Sequence, residues 1–283
     1  DAERAIAKLA ETGHELIFTT SFGYMEPTLK AAKRFPNVKF EHATGYKQAD
    51  NVATYNAKFY EGRYVQGIIA GKMSKTNTVG YIASFPIPEV IMGINAFLLG
   101  AHSVNPDIKL KIVWAYTWFD PPKEADAAKV LMDQGADIIT QHTDSTAALQ
   151  AAAERGVLAF GQASDMIQFA PDTQLTSIID EWGPYYVERT QAVLDGTWTS
   201  GDTWHGMSDG LVVMAPYTNM PDDVATLAAE TAESIRTGAF HPFTGPIYNQ
   251  AGELVVSDGE VADDGMLAGM KFYVKGIDDE VPN

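Results

Sequence analysis

The stretch Trp114-Ala-Tyr-Thr-Trp-Phe-Asp-Pro-Pro122 gathers four aromatic rings and a carboxylate within nine residues. It follows Ile-Lys-Leu-Lys-Ile-Val (108–113), which alternates like a strand, and precedes an amphipathic helical pattern over 123–134. The rings therefore crowd the carboxyl end of a strand, where ligands bind in open α/β sheets. Ring faces there can stack a flat ligand, and a carboxylate can accept its N–H groups. A plainer reading stands beside this one. Trp114 and Tyr116 can be packing residues, and Asp120 a helix N-cap followed by proline at the first helical position. Trp118 and Phe119 are the rings that this second reading explains least.

Similar content recurs at other strand ends. Ser21-Phe22-Gly23-Tyr24, Ser84-Phe85-Pro86, His142-Thr-Asp144, Ser164-Asp165 and Asp180-Glu181-Trp182 each follow an apolar run. Each alone fits a cap or a packing residue; Asp144 or Ser145, for instance, can cap the next helix. Together they point to a cleft lined with rings and a few acids, poor in Lys and Arg. Such a cleft suits a flat, neutral, nitrogen-rich ligand better than a phosphate or a carboxylate, which call for arginine or a free helix N-terminus. The six histidines (14, 42, 102, 142, 205, 241) show no metal-ligand spacing. No phosphate-binding glycine loop, nucleophile elbow or ordered triad occurs. The expectation is a protein with no metal, no cofactor and no catalytic residues.

Bulk properties narrow the class. In 283 residues, 37 acidic side chains oppose 20 basic ones, for a net charge of −17. That disfavours nucleic acid or an anionic membrane as partner. The absence of cysteine removes disulfides, thiolate metal sites and a thiol nucleophile. No apolar run reaches the ~20 residues of a membrane span.

The elements that position these strand ends alternate. Helix 1–12, strand 15–19, helix 27–34 and strand 38–43 are followed by a long helix over 55–73. Then come strand 78–83, helix 88–103, strand 109–114, helix 122–134, strand 137–141, helix 145–155 and strand 157–161. Such alternation predicts parallel sheets covered by helices. Beyond it, strand 174–180, helix 184–194, strand 211–214, helix 222–237 and a hairpin turning near 249–252 are expected, with 195–224 read as surface. We expect two lobes. Residues 1–52 with about 174–200 form the first and 53–173 the second, with a crossover at Asp50-Asn51-Val52; residues 201–283 have no settled lobe. A chain of this class usually opens on a strand. This one opens on a helix, so an initial strand–loop–helix is expected to be missing, leaving strand 15–19 with an apolar edge.

Tyr64-Val-Gln-Gly-Ile-Ile-Ala-Gly71, Val79-Gly-Tyr-Ile-Ala, Asn95-Ala-Phe-Leu-Leu-Gly-Ala101, Asp133-Gln-Gly-Ala-Asp137, Gly161-Gln-Ala-Ser-Asp165 and Asp209-Gly-Leu-Val-Val-Met-Ala-Pro216 occur in order. This ordered set resembles the BMP family of ABC-transporter substrate-binding lipoproteins, the purine nucleoside receptor-like proteins. The resemblance implies an α/β, type I periplasmic-binding-protein fold with two Rossmann-like lobes and a hinge. It implies a non-catalytic receptor that closes on a small molecule between its lobes and docks, as a monomer, on an ABC permease of the inner membrane. The location implied is periplasmic or otherwise extracytoplasmic, with a lipid anchor through the missing N-terminal segment. Glu61 lies where the family often carries an acid, although a salt bridge to Lys58 or Arg63 would also account for it. Asp165 is the retained acid of the Gly-x-x-Ser-Asp stretch.

Two departures bear on the ligand. Where nucleoside-binding relatives carry a lysine at the end of the strand over 175–180, this chain has Asp180. Where they carry the first of two acids, it has Ala163. Both positions would hold a ribose, so the reading favours a purine nucleobase or a related flat heterocycle. The ligand-binding set expected is Phe22, Glu61, Trp118, Phe119, His142, Asp165 and Trp182. The alternatives are a nucleoside-binding member of the same family, or an enzyme of nucleoside or base metabolism on an α/β scaffold. A ligand-sensing domain of a regulator would need an attached effector segment that these residues do not contain.

Overall fold

A four-stranded sheet, a six-stranded sheet and a two-stranded ribbon organise the described residues. The computed structural model describes residues 2–282. In chain order the elements are α1 (Ala2–Glu11), β1 (Leu16–Thr19), α2 (Met25–Arg34), β2 (Lys39–Ala43), β3 (Val52–Ala57), α3 (Phe59–Met73), β4 (Thr78–Ala83), α4 (Pro88–Val104) and β5 (Lys109–Trp114). They continue with α5 (Pro121–Asp133), β6 (Ile138–Gln141), α6 (Ala147–Glu154), β7 (Leu158–Gly161), β8 (Gln174–Asp180), α7 (Gly183–Leu194) and β9 (Asp202–His205). The last are β10 (Val212–Met214), α8 (Asp222–Arg236), β11 (Ile247–Tyr248), β12 (Leu254–Val256) and α9 (Asp264–Ala268).

The first compact unit comprises residues up to Lys58 together with Glu181–Gly206. Its sheet has the order β1-β2-β3-β9, with every pairing parallel and β1 at an edge. Ile6, Ala10, Ile17, Met25, Ala31, Phe40 and Val52 form the core between this sheet and α1 and α2. The second unit comprises Phe59–Asp180 and the chain from Met207 onward. Its sheet has the order β10-β8-β7-β6-β4-β5, parallel except for β10, which runs against β8. A core of Ile82, Ala128, Leu131, Ile139, Leu149 and Ala152 packs α5 and α6 on one side of this sheet.

Three expectations need correction. The segment read as the start of a long helix, from Tyr55, is strand β3, and the helix begins at Phe59. β3 is central, between β2 and β9, so nearly all of its residues are buried and the period-2 alternation of a half-exposed strand is absent. Tyr55 and Phe59, four apart, then imitate a helical stripe. Residues 195–224 are not simply surface: they contain β9, and Trp198, Met207 and Leu211 are buried. Finally, the first unit runs to Lys58, and β8 pairs with β7, so strand 174–180 belongs to the second sheet. The hairpin near 249–252 is present as the antiparallel pair β11–β12.

α3 is buried from Phe59 to Gly71, and α4 is nearly as enclosed, as helices without a polar face must be. Their glycines allow the backbones to meet. A Cβ on Gly67 would lie 2.0 Å from the Phe97 carbonyl oxygen, and one on Gly100 would lie 2.1 Å from that of Tyr64. The C-terminal segment is fastened to the same layer. Asn95 Nδ2 donates to the Phe272 carbonyl at 2.8 Å, and its Oδ1 accepts the Val274 N–H at 3.0 Å. Asp279 Oδ2 accepts the Ile112 N–H at 3.3 Å, capping part of the β5 edge.

The Gly67 contact sets the sign of a substitution. Gly→Ala inside a helix ordinarily stabilises by about 1 kcal/mol. Overpacking against a backbone carbonyl that cannot swing aside costs ~1–3 kcal/mol. Gly67→Ala is therefore predicted to lower the melting temperature by several degrees in calorimetry. A higher melting temperature would show that α3 and α4 have room to separate.

Candidate ligand-binding face

Because β4, β5, β6, β7 and β8 are parallel, their carboxyl ends share one edge of the second sheet. The chain leaving β4 carries Ser84 and Phe85, that leaving β5 carries Trp118, and that leaving β6 carries His142 and Asp144; Asp180 ends β8. The Trp118 and Phe85 rings lie 5.4 Å apart, tilted by 50°. His142 meets Trp118 at 6.1 Å and Phe59 at 5.9 Å, both edge to face. Trp118 and Phe85 are half-buried. The Trp118 carbonyl accepts the Asp144 N–H at 2.8 Å, so the two loops hold one another. Tyr116 has φ +50° within the aromatic loop, a left-handed value uncommon for a non-glycine residue.

Asp120 serves the plainer purpose. Its Oδ1 accepts the Lys123 N–H at 3.2 Å, while Glu124 Oε1 accepts the Asp120 N–H at 2.8 Å. This is a reciprocal cap at the start of α5. Glu124 Oε2 also accepts the Ser145 N–H at 3.1 Å, tying the same helix end to the loop after β6.

Beneath the rings lies a buried cation. The Arg63 guanidinium, on α3, is fully enclosed. It donates to Gln162 Oε1, to Gln66 Oε1 at 3.0 Å and to Thr140 Oγ1 at 3.4 Å, and it lies 5.6 Å from the Tyr81 ring centroid. His142 Nε2 stands 3.7 Å from Glu89 Oε1, in the first turn of α4. Burial, and secondarily the charge of Arg63, hold the His142 pKa well below its ordinary value, so the ring is neutral at pH 7. Burial raises the Asp180 carboxyl to about 7, against the attraction of Arg63 and with the help of Glu89 and Asp144. Asp144, which keeps an exposed face, is raised to about 6, chiefly by burial and then by Glu124. Ser84 Oγ, His142 Nδ1 and Asp180 Oδ1 are buried polar atoms without a protein hydrogen-bond partner.

The residues named from sequence divide. Trp118 and His142 stand together on this face. Phe119 is adjacent in the chain but 65% exposed. Glu61 is buried at the start of α3, and its Oε2 accepts the Met207 N–H at 2.6 Å. Asp165 Oδ1 accepts from the Ile167 N–H at 3.1 Å and from Gln174 Nε2 at 2.8 Å, shaping the loop between β7 and β8. Phe22 and Trp182 belong to the first unit. There Phe22 stacks on Tyr46 at 5.7 Å, beside Ser21 with φ +84°. Trp182 stacks on Tyr186 at 6.5 Å and meets Tyr55 edge-on at 5.3 Å. Sequence reasoning passed over Phe59, Glu89 and Arg63. For Glu89 a signal exists: Ser84-Phe-Pro-Ile-Pro-Glu89 places an acid in the first helical turn just beyond an aromatic strand end. Among the described residues, no group of His, Cys, Asp and Glu side chains is arranged to hold a metal ion.

Residues 1–237 match the family of PnrA-like ABC transporter substrate-binding proteins, Bmp. The chain belongs to that family. It is 66% identical over 282 residues to a purine-binding protein of Brucella abortus, spanning all of this chain and 81% of that protein. It is 36% identical over 284 residues to a putative ABC transporter glucose-binding protein of Haloferax volcanii, spanning all of this chain and 70% of the relative. An ABC transporter solute-binding protein from Aeropyrum pernix superposes with a TM-score of 0.72 at 20% identity, over 85% of this chain and 80% of that one. The fold is thus of the periplasmic-binding-protein type I kind, and the family is one of ABC transporter substrate-binding proteins. No helix among the described residues is long and apolar enough to cross a membrane.

The raised Asp180 pKa has a measurable consequence. Its folded value, about 7, lies above its ordinary 3.8, so the folded state holds this proton more tightly than the unfolded one. The stability that the neutral form contributes is complete below about pH 4 and is lost as pH rises through about 7. Asp180→Asn, which stays neutral, should raise the melting temperature at pH 8 by a few degrees and change it little at pH 4. Equal shifts at both pH values would contradict the assignment.

Proposed function

We propose that this Bmp protein binds a purine nucleobase on the face built by Phe85, Trp118, His142, Glu89 and Asp180, and delivers it to an ABC permease. One observation carries the reading: an open aromatic pair stands over a floor of acids and a neutral histidine, while the cation below, Arg63, is engaged with Gln162, Gln66 and Thr140. Rings stack a flat heterocycle, and carboxylates accept its N–H groups. The relative in Brucella abortus, described as purine-binding, supports the same ligand class. The chain works outside the cytoplasm as a single polypeptide, with the permease as its partner.

The base is favoured over the nucleoside. Asp180 and Ala163 stand where the family resemblance implies a lysine and an acid for the ribose. A buried hydroxyl left unpaired costs ~1–3 kcal/mol. Calorimetry with adenine, hypoxanthine, xanthine and guanine against their nucleosides should show at least tenfold tighter binding of a base. Equal or tighter binding of the nucleosides would return the chain to the nucleoside receptors.

Trp118 is the first choice for the stacking ring. Base–aromatic stacking contributes about 1–3 kcal/mol per base. Trp118→Ala should therefore weaken base binding roughly 5- to 150-fold, at 1.4 kcal/mol per factor of ten. An unchanged dissociation constant would make Trp118 a packing residue.

A further inference from the structure

The surroundings of Gly93, on α4, fix the hydrogen-bonding character of His142. A Cβ built on Gly93 would lie 3.2 Å from the Tyr81 hydroxyl, 3.5 Å from Arg63 Cγ and 3.7 Å from His142 Nδ1. Three polar side chains thus converge where α4 has no side chain. Tyr81 Oη, Arg63 Nε and His142 Nδ1 are all buried without a protein hydrogen-bond partner. The first two carry hydrogens to donate, and the guanidinium is cationic. A proton on Nδ1 would set a third donor among them and turn the positive end of its N–H dipole toward a cation. On the other side of the ring the balance reverses, because Nε2 stands 3.7 Å from a Glu89 carboxylate oxygen and that side chain is only 11% exposed. A proton on Nε2 faces an anion there and leaves Nδ1 as a second acceptor, beside the Tyr81 hydroxyl oxygen, for the two donors of the inner group.

We infer that His142 is held as the Nε2–H tautomer by Arg63, Tyr81 and Glu89, and that Nε2–H and the Glu89 carboxylate together read a purine edge bearing an acceptor beside an N–H. Arg63, Tyr81 and Gly93 act as positioning residues, while His142 and Glu89 are the specificity pair. The O6 and N1–H of a 6-oxopurine meet the requirement: Nε2–H donates to O6, and N1–H donates to the carboxylate. Methylation at N1 removes the donor and adds bulk against Glu89. The depressed His142 pKa agrees, since a neutral ring has one proton to place. The ligand-facing half of this inference rests on the purine reading above; the tautomer is a property of the ligand-free chain.

Two measurements test it separately. Long-range ¹H–¹⁵N spectra of the ligand-free full chain at pH 7, with His142 assigned by the loss of its signals in His142→Gln, should show a protonated Nε2 and an unprotonated Nδ1. An Nδ1–H ring or an imidazolium would overturn the inference whatever the ligand is. Calorimetry with hypoxanthine and 1-methylhypoxanthine tests the edge. Methylation should weaken binding at least tenfold. His142→Gln, whose amide nitrogen reaches the Nε2 position, should keep hypoxanthine binding within about fivefold, whereas His142→Asn, which ends near the Nδ1 position, should lose at least tenfold. Equal binding of the two ligands, or an Asn variant that outperforms the Gln variant, would overturn the specificity pair. A chain of confirmed tautomer that binds no purine base would overturn the functional reading and leave the tautomer standing.

Discussion

The Arg63 guanidinium is the charge on which the second unit depends. A cation taken out of water carries a solvation penalty of several kcal/mol, which the interior must offset with hydrogen bonds and opposing charge. Gln66, Thr140 and Gln162 supply the hydrogen bonds, drawing α3, β6 and the end of β7 together. Its field reaches His142, Asp144 and Asp180, each of which it shifts downward. Burial opposes it at the two carboxyls and reinforces it at the histidine. The outcome is a neutral imidazole beside acids that titrate near neutrality, within a few ångströms of open aromatic surface.

Holding that cation in place falls to two helices whose contact is set by glycine. α3 and α4 approach so closely at Gly67 and Gly100 that no side chain fits. Arg63 lies one turn before Gly67 on α3, and Glu89 and Gly93 lie on the first turns of α4. The close crossing therefore fixes the floor of the face as well as the core. Trp118 has a different support. The Trp118 loop is secured by the Asp120–Glu124 cap at the start of α5 and by the bond from Asp144 to the Trp118 carbonyl. Trp118 thus rests on an element separate from the floor, whereas Phe85 precedes α4, the helix that carries Glu89.

Much of this was legible in the chain. Alternating β and α patterns marked β1, β2 and β4 to β7 as strands of parallel sheets, and strand-end composition marked Trp118 and His142. What escaped had physical causes. β3 is covered on both sides, so the alternation that marks a half-exposed strand is lost. β9, Asp202-Thr-Trp-His205, is short and largely polar, and becomes a strand only because β3 offers it a ladder. Glu61 and Asp165 accept backbone N–H groups at Met207 and Ile167, contacts that no local spacing reveals. Arg63 was weighed only as a partner for Glu61, because nothing local shows that the fold encloses it.

The site is defined by its geometry, so a crystal structure of the protein loaded with hypoxanthine tests it. The base is expected to stack against Trp118 and Phe85, with its N1–O6 edge turned to Glu89 and His142 Nε2. A base seated without contact to Trp118 and Phe85, for example resting on the Phe22–Tyr46 pair alone, would contradict it.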